Sequence, residues 1–270
     1  MSADGPTSSA NGRMIELEAI TYGYTQTAPI FARFSWEIAR GETWAVLGPS
    51  GCGKTTLLYL LAGLETPQTG RVSIDGVNLA RPRPQTGLIL QDYGLLPWAT
   101  VSQNAELGLK IRSFYGPDGK HAPKYSTNNG DVNHWLERLG LVEHASKYPT
   151  QLSGGQRQRT AIARTLAMQP DLLLMDEPFS SLDAPTRESL QQLTLELGEE
   201  HNLTLIIVTH AIEEAVVLGQ KILLLEEPPN SEPQIIPNPD INKPGYRNSN
   251  TYLELCQFLR ARMGEEESSV

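Results

Sequence analysis

Gly48-Pro49-Ser50-Gly51-Cys52-Gly53-Lys54-Thr55-Thr56 is the stretch on which the reading of this chain turns. It has the form G-x-x-x-x-G-K-[ST], and its flanks suit it. Thr43-Trp44-Ala45-Val46-Leu47 before it is a short apolar run of buried-strand type, and Leu57-Leu58-Tyr59-Leu60-Leu61-Ala62 after it is an apolar helix that stops at Gly63. Four specified positions recur by accident in roughly one chain of this length in a hundred, but strand, glycine loop and helix in succession is the context of a phosphate-binding loop. Glycines let successive backbone N–H groups turn inward around a phosphate, and the helix N-terminus adds positive potential. In such a loop Lys54 reaches the β- and γ-phosphates and the Thr55 hydroxyl ligates Mg²⁺.

Composition narrows what the loop can serve. The chain has 270 residues, room for one large α/β domain or a domain with appendages. The net charge of −9 argues against a nucleic-acid surface. Two cysteines, one of them Cys52 inside the loop, make no disulfide framework and fit a reducing compartment. No apolar run approaches a membrane span, and the first residues are too polar for a signal peptide. The expectation is a soluble chain; any spanning is left to another polypeptide.

Outward from the loop, residues 1–13 read as a disordered tail. Residues 14–20 and 34–38 alternate as strands, with Tyr22-Gly23-Tyr24-Thr25 a turn between them that displays two rings. One ring suits a nucleotide base; equally, a turn tyrosine packs on its sheet. Strands follow at 69–76 and 85–90, and the second ends at Gln91. After Asp92-Tyr93-Gly94, Leu95-Leu96-Pro97-Trp98 is rich in large apolar residues for a loop, and helical spacing runs from 101 to about 111. Residues 113–130 are loop chemistry, read as a surface insertion that is either filler or a partner contact. Helices are expected over 132–139, from Ser153 as N-cap to Met168, over 185–200 and over 211–218. Leu172-Leu173-Leu174-Met175 and 204–208 read as buried strands, and 221–225 as a last strand. Beyond Glu227 six prolines interrupt a polar stretch, helical spacing returns over 251–263, and Glu265-Glu266-Glu267 closes as a solvated tail.

Ligands on open α/β sheets gather outside the carboxyl ends of strands. Four features fall there: the loop after Leu47, Gln91, Asp176-Glu177 after Met175, and His210 after Val208. An acidic pair or a lone histidine is by itself more often structural. With a phosphate loop they form a phosphoryl-transfer site, in which Asp176 holds Mg²⁺, Glu177 orients and deprotonates the attacking water, Gln91 binds that water or a metal-bound one, and His210 contacts the γ-phosphate. Leu152-Ser153-Gly154-Gly155-Gln156 has no duty in that pocket. As a glycine-rich helix start it is either an ordinary capped helix or a surface for the phosphate held by another copy.

These residues carry a resemblance. Gly48–Thr55, Gln91, Leu152–Gln156, Leu172–Glu177, Ser181-Leu182-Asp183 and His210 stand in the order of the Walker A, Q-loop, LSGGQ signature, Walker B, D-loop and H-switch of the ABC ATPase family. The likeness covers about residues 14–225. It implies a P-loop NTPase of ABC type, with a mostly parallel core sheet, an antiparallel β-subdomain and a helical subdomain inserted at about 92–168. The nucleotide-binding domain then spans 14–227, and 228–270 is a proline-rich extension ending in a helix. It also implies a dimer closing head to tail around two ATPs, where Ser153, Gly154, Gly155, Gln156 and Asp183 of each copy complete the other's site. Tyr24 matches the ring that stacks on adenine. The nucleotide contacts are Tyr24, Gly48, Pro49, Ser50, Gly51, Cys52, Gly53, Lys54, Thr55 and Thr56. Thr55, Gln91 and Asp176 face Mg²⁺, and Glu177, His210, Gln91 and Lys54 perform the hydrolysis.

Leu95-Leu96-Pro97-Trp98, and Val208-Thr209-His210 followed by Glu213-Glu214-Ala215, resemble the nitrate, sulfonate and taurine import group. The implied partners are a second copy, integral-membrane permease subunits touching the region after Gln91 and, indirectly, a solute-binding protein, with the chain peripheral on the cytoplasmic face of the inner membrane. Two features depart from the pattern: Ala211 where many importers carry Asp, and the insertion at 113–130. Competing readings are an exporter's ATPase, which the Leu-Pro-Trp segment disfavours, and a soluble ABC ATPase acting on nucleic acid. The latter class usually shows a coiled-coil insertion or a second cassette, and neither is present here.

Overall fold

The computed structural model describes residues 12–25, 27–115 and 131–264. In chain order the elements are β1 (Arg13–Tyr22), β2 (Phe31–Ala39), β3 (Thr43–Leu47), α1 (Lys54–Ala62), β4 (Thr69–Ile74), β5 (Val77–Asn78), β6 (Thr86–Ile89), α2 (Val101–Tyr115), α3 (Val132–Arg138), α4 (Gly154–Leu166), β7 (Leu172–Asp176), α5 (Ala184–Glu200), β8 (Thr204–Thr209), α6 (Ile212–Leu218), β9 (Lys221–Leu224), β10 (Gln234–Pro237) and α7 (Asn250–Met263).

Two sheets form, and burial explains their different sequence patterns. The larger has the order β10-β9-β3-β8-β7-β6, with β9, β3, β8, β7 and β6 parallel and β10 antiparallel at the edge. Every residue of β3, β7 and β8 is buried, because helices cover both faces, and so these strands read as unbroken apolar runs. The smaller, antiparallel sheet has the order β2-β1-β4-β5. One of its faces is wet, so β2 alternates Phe34, Trp36 and Ile38 inward with Ser35 and Glu37 outward. Trp36 meets Trp44 of β3 edge-on, ring centres 5.0 Å apart, and Leu57, Leu58, Leu60 and Leu61 of α1 join the same core between the sheets. A second core under α2–α5 covers the opposite face of the parallel sheet.

The register of the parallel strands assembles the site. β3, β8, β7 and β6 are consecutive neighbours, so the segments after Leu47, Thr209, Asp176 and Ile89 leave the sheet on one edge side by side.

Differences from the sequence reading are local. α2 continues to Tyr115, past the expected end near 111, and the Ser113 hydroxyl donates back to the Lys110 carbonyl at 2.8 Å. The remainder of the expected insertion (116–130), the tail before residue 12 and the acidic tail after 264 lie outside the described residues. Arg13, expected to close the tail, already pairs with Ala39. The proline-rich stretch hides β10, which adds to β9 over Gln234–Pro237; a strand this short, ending at proline on a sheet edge, leaves little period-2 signal. The segment is also stapled down. Asn238 donates to the Val216 and Gly219 carbonyls (2.7 and 2.9 Å) at the end of α6, and Tyr246 Oη donates to Asn238 Oδ1 at 2.6 Å.

Candidate functional site

The glycine loop leads from buried β3 into α1 and bounds a cleft of about 630 Å³ lined by Tyr24, Ile30, Ser50, Gly51, Gly53, Lys54, Thr55, Thr56, Glu177 and His210. Gly53 has φ of +108°, and a Cβ there would come within 2.4 Å of the Ile30 side chain, so glycine is required on both counts. Lys54 is nearly buried, and its Nζ donates to the Gly48 and Pro49 carbonyls, both at 2.8 Å. The ammonium is folded onto its own loop.

Thr55 Oγ1 donates to Asp176 Oδ2 at 2.8 Å, which joins residues far apart in sequence. Burial pushes the Asp176 carboxyl up, opposed by the Thr55 hydrogen bond and by Lys54, while the neighbouring Glu177 charge adds to the rise. Glu177 sits at φ of +43°, a left-handed backbone that costs a non-glycine residue about 1–3 kcal/mol. Its N–H donates to the Val208 carbonyl at 2.9 Å, and the resulting kink carries its carboxylate out over the sheet edge. There Oε1 lies 2.9 Å from His210 Nδ1, and Oε2 accepts from Gln91 Nε2 at 3.5 Å. Three of the four expected strand ends therefore meet at one carboxylate, and the fourth, the glycine loop, joins them through the Thr55–Asp176 bond. Of the two rings in the turn, Tyr22 is buried at the end of β1 and only Tyr24 is displayed, 66% exposed, its hydroxyl 3.2 Å from Thr56 Oγ1.

Ser153, Gly154, Gly155 and Gln156 do not line this cleft. Ser153 caps α4 in a reciprocal box: its Oγ accepts from the Gln156 N–H at 3.3 Å, and the Ser153 N–H donates to Gln156 Oε1 at 2.9 Å. A Cβ on Gly155 would lie 2.5 Å from Thr186 Cγ2, so its bareness lets α4 approach α5. Asp183 caps α5, accepting from the Thr186 N–H and hydroxyl at 3.3 and 3.0 Å, and the hydroxyl bond first holds its carboxyl below the ordinary value.

Four further residues support the site, and the sequence reading gave none of them a role in it. Tyr93, two residues past Gln91, places its hydroxyl 2.8 Å from Ser181 Oγ, linking the segment after Gln91 to the segment before Asp183, while Arg164 donates to the Tyr93 and Gly94 carbonyls at 2.7 and 2.6 Å. Glu214 is buried behind His210, accepting from the Thr209 hydroxyl and from Gln191 Nε2 at 3.2 Å. Asn230, within the proline-rich stretch, donates to the Cys52 carbonyl of the glycine loop. An asparagine among prolines has no local signal for such a contact.

Comparison with known proteins agrees with this geometry. Residues 31–180 match the family model described as ABC transporter. The taurine import ATP-binding protein of Pseudomonas aeruginosa is 42% identical over 215 residues, covering 78% of each chain. The nitrate import ATP-binding protein of Synechocystis is 35% identical over 270 residues, covering 94% of this chain and 97% of its own. An ATP-binding cassette solved as a dimer in a post-hydrolysis state with ADP and Pi superposes with a TM-score of 0.68 at 30% identity, over 83% of this chain and 99% of that one. With an ABC-type parallel sheet, and with the phosphate loop, the acidic pair, the glutamine and the histidine gathered at its edge, this chain belongs to the ABC transporter family as one of its ATP-binding, ATP-hydrolysing subunits.

Proposed function

We propose that the chain powers an importer for nitrate, a sulfonate, taurine or a related small solute, working as two copies closed head to tail around two ATPs. The import proteins it resembles support the direction of transport and the solute class. Tyr24 stacks on adenine. The backbone of Gly48, Pro49, Ser50, Gly51, Cys52, Gly53 and Thr56 cradles phosphate at the start of α1, and Lys54 exchanges its loop carbonyls for phosphate oxygens. Thr55, Asp176 and Gln91 offer a hydroxyl, a carboxylate and an amide, the oxygen donors that Mg²⁺ accepts beside phosphate and water. When bound there, Mg²⁺ offsets the charge of the phosphates. Glu177 takes the proton of the attacking water, with Gln91 and His210 fixing its carboxylate; positioning and charge stabilisation supply most of the rate.

The observation that carries this reading is the grip of Gln91 and His210 on Glu177, at a cleft that the Ser153–Gln156 helix start does not line. A glycine-rich capped helix start that does not line its own copy's cleft fits a surface that serves the other copy's ATP, together with Asp183. In this reading residues 14–227 form the nucleotide-binding domain, with 92–168 as its helical subdomain, and 228–270 an extension. The permease docks after Gln91, where Trp98 is 73% exposed, and a solute-binding protein delivers the solute to the permease. The chain sits as a peripheral subunit on the cytoplasmic face, as the import ATP-binding proteins it resembles suggest; among the described residues no helix is long and apolar enough to cross a membrane. The test is co-expression with the membrane subunits, purification as a complex, and ATP-dependent uptake of taurine, sulfonates and nitrate into vesicles. A complex that hydrolyses MgATP but accumulates none of these would refute the solute class, and failure to hydrolyse MgATP at all would refute the site.

A further inference from the structure

Asn230 lies between β9 and β10, outside the matched family segment, and is 7% exposed. Its amide is fully engaged. Oδ1 accepts from the Glu226 N–H at 3.0 Å, and Nδ2 donates to the Cys52 carbonyl at 3.0 Å, with the Ile30 and Glu226 carbonyls further off at 3.4 Å. Its backbone is engaged as well: its N–H donates to the Ile30 carbonyl, and its carbonyl accepts from the Ala32 N–H, both at 2.9 Å. One residue therefore ties the glycine loop, the start of β2 and the end of β9 together.

A trans peptide is planar and points its C=O and N–H in opposite directions. Gripping the Cys52 carbonyl from behind thus fixes the direction of the Gly53 N–H, and Gly53 lines the cleft whereas Cys52 is buried. Ile30, whose carbonyl Asn230 also holds, packs its side chain against Gly53 from the cleft wall. We infer that Asn230 is a positioning residue for nucleotide binding: it sets the 52–53 peptide so that the Gly53 N–H faces the phosphates, and it locks the Ile30 wall against that peptide. The inference rests on the nucleotide reading of this cleft. It requires the effect to appear in phosphate affinity and to be equal for ATP and ADP, because the loop peptide is upstream of any step in hydrolysis.

The experiment measures ATP and ADP affinity by calorimetry, together with KM, kcat and thermal midpoint, for the parent chain, Asn230→Ala and Asn230→Asp. Asn230→Ala leaves the backbone bonds to Ile30 and Ala32 possible, so it carries the test if Asn230→Asp, which turns a carboxylate toward three carbonyls, does not fold. Tyr246→Phe, which removes a buried hydroxyl bond elsewhere in the same segment, is the control for loss of stability without contact to the loop. The expected result for Asn230→Ala is affinity about tenfold weaker for both nucleotides, the scale of one buried hydrogen bond, with KM raised to match, kcat within about twofold, and Tyr246→Phe unchanged in affinity. Parent-like affinity in a folded Asn230→Ala overturns the inference, as does an equal loss in Tyr246→Phe. A parent chain that binds neither nucleotide refutes the reading of the cleft instead.

Discussion

Glu177→Gln separates a chemical role from a structural one because the change is nearly isosteric. The backbone cost of φ +43° is the same for glutamate and glutamine, so the fold should be unaffected. What changes is the ability to accept a proton and the contacts to His210 at 2.9 Å and Gln91 at 3.5 Å. The His210 side chain is 59% exposed, so that contact is worth about 1 kcal/mol, roughly fivefold in rate if it all appeared in the barrier. Loss of a general base removes about a hundredfold to ten-thousandfold, equivalent to about 3–5 kcal/mol. Phosphate release at saturating MgATP should therefore fall at least about a hundredfold, while calorimetric ATP affinity stays at the parent value. Light scattering should then find a stable dimer with ATP and a monomer without it, since the ATP that seals the copies is no longer consumed. Turnover within about fivefold of the parent would mean that Glu177 acts only through its hydrogen bonds, and the general-base assignment would fall.

Lys54→Ala should abolish measurable ATP binding by calorimetry, because among the described residues Lys54 is the one lysine or arginine that lines the cleft; undiminished binding would refute the loop assignment. Ser153→Arg should leave ATP affinity of the monomer intact and eliminate ATP-driven dimerisation and turnover; since Ser153 also caps α4, a stability loss of about 1 kcal/mol is expected, and dimerisation with ATP at parent strength would refute the shared site. Glu214 is held above its ordinary value of 4.5 by burial, against the Thr209 and Gln191 hydrogen bonds. Its folded form binds the proton more tightly than the unfolded chain, so its contribution is fully present below that ordinary value and is lost as pH rises through the folded value. Glu214→Gln should therefore gain stability relative to the parent as pH rises from about 4 to 8 in denaturant midpoints; a relative loss would reverse the assigned sign.

The sequence alone supplied the candidate residues at the strand ends and the sheet that carries them. Apolar runs of five or six residues at β3, β7 and β8, too short for helices, read as strands covered on both faces, and each delivers its polar residues at a carboxyl end, so chain order already placed Lys54, Thr55, Asp176, Glu177 and His210 together. The helix starts were legible for the same local reason, as Ser153 and Asp183 carry the cap in their own side chains. Tertiary structure decided what depends on contacts between distant segments. It selected Tyr24 over Tyr22 for display, bent Glu177 between Gln91 and His210, paired Tyr93 with Ser181, and brought Asn230 from a proline-rich stretch onto the Cys52 carbonyl. Periodicity and capping are written in neighbouring residues, but a hydrogen bond between residues 52 and 230 exists only because β9 runs parallel beside β3 and returns the chain beneath the phosphate loop.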